Sequence, residues 1–136
     1  MAIITGFDIV DMHFAYVNTT PLAAAITGSV YKYRRPVNSD KEDVVLNSLA
    51  LDNEQIQTGI TNLNLYVPGI EISTEMGQEQ MPDTARMRTL AALIDKGPVI
   101  ISSYHFEVQQ PPLLIEEQDT GAFYFNVRVE WKNLNF

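Results

Sequence analysis

From Phe123 to Lys132 the chain alternates without a break. Phe123, Phe125, Val127, Val129 and Trp131 fall on one side, and Tyr124, Asn126, Arg128, Glu130 and Lys132 on the other. Ten residues at a period of two make a strand with one dry face and one wet face. A strand of that kind needs a sheet to pair with and a layer to cover its apolar side. The chain must therefore build a sheet with one covered face, and the remaining segments are read for what pairs with it and what covers it.

Thr120-Gly121 marks a turn before this strand, and residues 100–108 place Tyr104, Phe106 and Val108 on one face with His105 and Glu107 opposite. The two runs read as a long hairpin. Gln110-Pro111-Pro112 bends the connection, and Leu113-Leu114-Ile115 reads as a small extra strand or an exposed apolar arm. Earlier, residues 29–35 put Tyr31 and Tyr33 on one face and Lys32 and Arg34 on the other, until Pro36 ends the run. Residues 43–51, DVVLNSLAL, are apolar on both faces, as expected of a central covered strand or of one buried by another subunit. Residues 60–67 alternate Leu63, Leu65 and Val67 against Asn62 and Asn64, and Pro68-Gly69 stops them.

Helices supply the cover. Thr5 and Asp8 form a plausible capping box, and Phe7, Val10, Phe14 and Val17 then share one helical face. A second short helix has Thr20 as N-cap, Pro21 at its first position and Gly28 as a left-handed stop. A third begins at Pro82-Asp83, carries Met87, Leu90, Ala91 and Ile94, and ends with Lys96 before Gly97-Pro98. Residues 70–81, polar and without a clear period, read as a long loop. The order α-α-β-β-β-α-β-β predicts one α+β domain over residues 1–136, with helices on one face of a largely antiparallel sheet of about five strands.

Composition removes several function classes. The chain has no cysteine, so disulfides, thiolate nucleophiles and cysteine zinc sites are absent. Seventeen acidic against nine basic residues give a net charge of −8. The only dense basic group, Lys32, Arg34 and Arg35, is followed by acidic loops, which argues against nucleic acid and anionic membranes as partners. The acids make a solvated surface or an electronegative rim facing a basic partner. The first residues lack a basic region and carry early aspartates, unlike a signal peptide, and no apolar run approaches the roughly 18 residues that span a bilayer. Asn18-Thr19-Thr20 matches a glycosylation sequon, which has no meaning without secretion.

Catalytic patterns are missing as well. Ser102-Ser103 has no nucleophile elbow, the glycines form no phosphate loop, and Asp40-Lys41-Glu42-Asp43 lacks the ligand spacing of a calcium loop. His13 lies beside the apolar face of the first helix, a structural position. His105 and Glu107 share a strand face and could begin a metal site, but no third ligand follows. No catalytic, cofactor-binding or metal-ligating set is assigned. An interface is better supported: YKYRRP combines tyrosine with arginine, whose planar fork grips carboxylates in pairs. The candidate interface residues are Tyr31, Tyr33, Arg34 and Arg35, then Val45, Asn47 and Leu49 from the doubly apolar strand, then Leu113 and Leu114.

The segments TPLAAAITGSVYKYRRP, EDVVLNSLAL, ITNLNLYVPG, ARMRTLAALI and FYFNVRVEWKNL, in that order and spacing, resemble the tail-completion or tail-terminator proteins of long-tailed bacteriophages and prophages. The resemblance implies a homo-oligomeric ring, commonly a hexamer, that caps the tail tube and joins it to the head. It implies neither catalysis nor a cofactor, and a virion component assembled in the host cytoplasm. The residues alone leave open a small bacterial α+β module that binds a ligand or a protein, and, with His105, Glu107 and the loop acids as its only candidates, a hydrolase-type enzyme.

Overall fold

The computed structural model describes residues 6–48, 58–101, 103–109, 112–117 and 122–133. The alternating strand, β9 (Phe123–Asn133), lies at the centre of a seven-stranded sheet. It pairs antiparallel with β3 (Thr58–Val67) over ten residues, from Thr58↔Lys132 to Val67↔Phe123. β2 (Asp43–Ser48) continues the sheet beyond β3, and β1 (Val30–Lys32) lies outside β2 and parallel to it. The sheet is therefore mixed rather than wholly antiparallel.

On the other edge of β9 two strands share one lane. β7 (Tyr104–Val108) pairs with its C-terminal half and β8 (Leu113–Glu116) with its N-terminal half. β6 (Val99–Ile101) pairs outside β7 through Val99↔Phe106. The run 100–108, expected as one strand, is thus two strands folded against each other. Of the two readings of Leu113–Ile115, the small extra strand is the one observed.

Residues 70–81 correct the sequence reading most. They form a second, two-stranded sheet, β4 (Ile70–Thr74) against β5 (Gly77–Met81). Thr74 closes the turn: its hydroxyl donates to the Gly77 carbonyl at 2.9 Å and accepts from Met76 N at 3.2 Å. Gly77 sits at φ +117, where a side chain would be strained. The segment looked like a loop because nearly all of it is exposed, so it carries little of the apolar pattern that a core imposes. With it, the described residues hold nine strands instead of about five.

Helices cover one face. α1 (Gly6–Val17) buries Ile9, Val10, His13 and Val17 against β1, β2 and β3. Its buried stripe is rotated from the expected one, since Phe7 is 69% exposed and His13 is inside. Thr5, half of the expected capping box, lies outside the described residues. In α2 (Pro21–Ala25) Thr20 is extended and precedes Pro21, as expected of an N-cap, but its hydroxyl donates backward to the Val17 carbonyl at 2.6 Å. Gly28 is not a left-handed stop. A Cβ there would lie 1.9 Å from Asp43 Oδ1 and 2.5 Å from the Glu42 carbonyl, so glycine is required by close approach.

α3 (Thr84–Ala91) is capped by Asp83, whose carboxylate accepts from Arg86 N at 3.1 Å. The helix ends at Ala91, short of Lys96. Leu90, Met87 and Ile94 are buried with Leu63, Leu65, Val127 and Trp131 in one core cluster beneath α1 and α3.

An ion pair ties α3 to the corner between α2 and β2. Arg86 donates from Nε to Glu42 Oε2 at 2.6 Å and from Nη2 to Glu42 Oε1 at 2.9 Å and to the Ala25 carbonyl at 2.9 Å. Glu42 also accepts from Thr27 N at 3.1 Å. The Arg86 hydrogen bonds hold the buried Glu42 carboxyl below its ordinary value, against the opposing effect of burial. Among the described residues, no helix is long and apolar enough to cross a membrane.

Candidate functional site

The face of the sheet away from the helices is polar, and it is organised. By register, Asn47 on β2, Asn62 and Asn64 on β3 and Asn126 on β9 all lie on it. Asn62 Nδ2 donates to Asn47 Oδ1 at 2.9 Å, and Asn126 Nδ2 donates to Asn64 Oδ1 at 2.7 Å and Asn62 Oδ1 at 3.3 Å. Four side-chain amides thus cross three strands as one network, which fixes their orientation. Arg128, opposite Asn62, has its Nε buried without a hydrogen-bond partner.

Toward β1 the network meets an aromatic–arginine cluster. Tyr66 and Tyr124, cross-strand partners, stack with ring centroids 4.8 Å apart. The Arg35 guanidinium lies over Tyr66 at 3.9 Å and reaches Asp43 at 3.4 Å. Asp43 is fully buried and also accepts from Ser39 Oγ at 2.6 Å and Ser29 N at 3.3 Å. Burial pushes the Tyr66 phenol well above the ordinary tyrosine value, and its hydrogen bond to Glu117 adds to the rise, against the opposing effect of Arg35. Tyr66 therefore stays a neutral donor at any physiological pH.

Residues 33–39 arch over this cluster because the chain leaves β1 abruptly. Tyr33 adopts φ +73, which ends the strand at Lys32 instead of Arg35. It also breaks the alternation read from sequence and sets the Tyr33 ring edge-on to Phe7, with centroids 6.1 Å apart. Between the arch and the sheet lies an open cleft of about 540 Å³. Tyr33, Arg34, Arg35, Val45, Asn47 and Tyr66 line it.

Five of the nine candidate interface residues are therefore gathered at one place. Val45 explains the doubly apolar strand: Val44 and Leu46 face the core, while Val45 is buried on the opposite face beside the arch. Tyr31, across from Val45 in register, is half-buried and not part of the cleft lining. Leu113 and Leu114 are exposed on β8, away from the cleft, and Leu49 lies outside the described residues. Sequence reasoning missed Tyr66, Asn64 and Asn126 as members of the site. The signal was present in the alternating Asn62 and Asn64, which were read only as a wet strand face.

A second concavity, a groove of about 480 Å³, opens on the helix side between α3 and the β8–β9 edge. Met87, Ala91, Ile94, Leu114, Phe125 and Val127 make it apolar, and Arg88 and Lys96 stand along it. Neither cation forms an ion pair among the described residues.

His105 and Glu107 do share a strand face, but Glu107 is directly opposite Glu130 and His105 opposite Lys132. Among the described residues no three His, Asp or Glu side chains come together as a metal site. His13 is wholly structural in its contacts: its Nδ1 is 2.9 Å from Thr61 Oγ1, which also accepts from Trp131 Nε1 at 2.9 Å. Burial lowers its pKa to about 4. What the cleft offers is a fixed array of donors, acceptors and aromatic surface, the chemistry of recognition.

No protein-family model matches the chain, and no curated protein matches it significantly.

Proposed function

We propose that this chain is a non-catalytic assembly protein of the kind found at the end of phage and prophage tails. It would act by forming a homo-oligomeric ring, commonly a hexamer in the proteins it resembles, that docks on the tail tube or the head–tail junction. It would be a virion component put together in the cytoplasm of the host bacterium and would use no cofactor.

The observation that carries this reading is the convergence of Tyr33, Arg34, Arg35, Val45 and Asn47 in one open cleft over a hydrogen-bonded sheet face. Tyrosine and arginine dominate protein interfaces because each covers apolar area and still ends in a donor. Here the underlying amides bond to one another and Arg35 is held by Asp43 and Tyr66, so the cleft is pre-shaped. Arg34 is exposed and free of ion pairs among the described residues, and is available to a partner.

Sedimentation velocity and negative-stain microscopy of the full chain test the proposal. A closed ring of uniform copy number is expected, and Arg34→Glu should weaken it without lowering the unfolding temperature. A monomer at every concentration, which stays monomeric on co-expression with a tail-tube protein from neighbouring genes, would overturn it.

A second reading, a small ligand- or protein-binding module, is favoured by the α3 groove. Its volume of about 480 Å³ falls in the range typical of small-molecule sites, roughly 300–1,000 Å³. Native mass spectrometry of the purified chain would reveal a retained ligand.

A further inference from the structure

The β4–β5 hairpin and the α3 groove are complementary surfaces that one chain leaves unsatisfied. Nine of the hairpin's ten strand residues are exposed. Its register places Ile70, Ile72, Met81 and Glu79 on one side and Glu71, Ser73, Gln78 and Gln80 on the other. The first side is an apolar face left partly open among the described residues: Ile70 is 47%, Ile72 36% and Met81 42% exposed. At the tip, beside Glu75, Met76 is 90% exposed. Two isolated strands are marginally stable in water, because a single ribbon has no core to hold it. A hairpin that presents its apolar face to solvent gains most from a surface that covers that face.

The charges say which surface. Residues 70–81 carry Glu71, Glu75 and Glu79 and no lysine or arginine. Two such hairpins repel each other. The groove is their converse, an apolar floor of Met87, Ile94 and Phe125 flanked by Arg88 and Lys96. In a chain with 17 acidic and 9 basic residues, two cations left without ion pairs beside an open apolar groove are set for an acidic apolar partner.

We propose that the hairpin of one copy seats in the α3 groove of the next, with Met76 and the Ile72 side entering the groove and the glutamates meeting Arg88 and Lys96. The contact joins two different surfaces, so it runs head to tail and produces a ring where the rotation closes. The inference deepens the assembly reading and rests on it for the identity of the partner as a second copy.

The absence of cysteine makes the test clean. Met76→Cys sits at the exposed tip, and Ala92→Cys lies on the exposed wall of the groove. A full-length chain carrying both substitutions, mildly oxidised, should give a ladder of disulfide-linked multimers on non-reducing gels. Equal amounts of the two single variants, mixed, should give mainly the heterodimer. Arg88→Glu with Lys96→Glu should reduce cross-linking at least tenfold, and adding Glu75→Lys and Glu79→Lys should restore it.

Failure separates cleanly from failure of the assembly reading. If the unmodified chain sediments as an oligomer and the double variant gives no ladder, the hairpin contact is wrong while assembly stands. If the chain is monomeric and gives no ladder, both fall. A small apolar acid that co-purifies with the unmodified chain and is lost with Arg88→Glu, again with no ladder, would make the groove a ligand site and overturn the contact.

Discussion

His13 gives the sharpest test of the core. Its ring is 3% exposed and packs beside Phe106 and Trp131, at centroid distances of 5.5 and 5.8 Å. Trp131 Nε1 can only donate, so it occupies a lone pair of Thr61 Oγ1 and leaves the Thr61 hydroxyl hydrogen free for His13 Nδ1. A pKa of about 4 makes the ring neutral at pH 7, and Nδ1 can then accept that hydrogen. Protonating it would place a charge out of reach of water, and burial therefore drops the pKa from 6.5 to about 4.

The sign follows from linkage. Above pH 6.5 both folded and unfolded chains carry a neutral His13, and it adds no pH dependence. Below that, the unfolded chain takes up a proton that the folded chain refuses. Stability should then fall by about 1.4 kcal/mol per pH unit, reaching about 3 kcal/mol lost near pH 4, and level off below. The comparison is with His13→Asn, whose side-chain oxygen can still accept from Thr61 but cannot titrate. Urea unfolding followed by the fluorescence of Trp131, the one tryptophan, measures both proteins from pH 7.5 to 4. The substitution should cost stability at pH 7.5, through lost ring volume, and that deficit should shrink by about 3 kcal/mol by pH 4. Every other ionisable group is common to both proteins, so their difference isolates His13. Two parallel stability–pH curves would refute the argument.

Other outcomes follow from single contacts. Thr61→Val leaves both Trp131 Nε1 and His13 Nδ1 without a partner in the core, and urea unfolding at pH 7.5 should show a loss of about 2 kcal/mol. Glu42→Gln should cost about 2 kcal/mol at pH 7 in the same assay. Because Arg86 holds the Glu42 pKa below 4.5, the stabilisation is present above that pH and lost on acidification, so the variant's decline below pH 4.5 should be shallower. Gly28→Ala forces a methyl against Asp43 and the Glu42 carbonyl and should destabilise by about 2 kcal/mol; an unchanged melting temperature would show that the corner relaxes freely.

What the sequence disclosed tracks what a core can imprint on it. β9 was readable because each second side chain is dry, and β3 for the same reason. Nine of the ten strand residues of the β4–β5 hairpin are exposed, too few inside for a core to impose a pattern, so Ile70 and Ile72 alone could not announce two strands. The α1 stripe was misplaced by one polar residue: His13 reads as structural but beside the apolar face instead of on it, and its partner Thr61 lies on a distant strand. β1 was read too long because nothing local betrays the positive φ of Tyr33, a residue that seldom adopts it. At the cleft, Arg35 and Val45 were visible as an arginine in an aromatic run and an apolar residue on the wrong face. Tyr66, Asn64 and Asn126 needed the register of β3 with β2 and β9, which no single strand contains.

The lengths of the strands carry a last consequence. The strands at the open edges of the seven-stranded sheet, β1, β6 and β8, are only three, three and four residues long. So short an edge offers too few free amides and carbonyls to template another chain, which blocks runaway growth by strand addition. The longer open edges belong to the hairpin, and there the glutamates keep like from pairing with like. Backbone pairing between copies is thereby discouraged at every one of these edges.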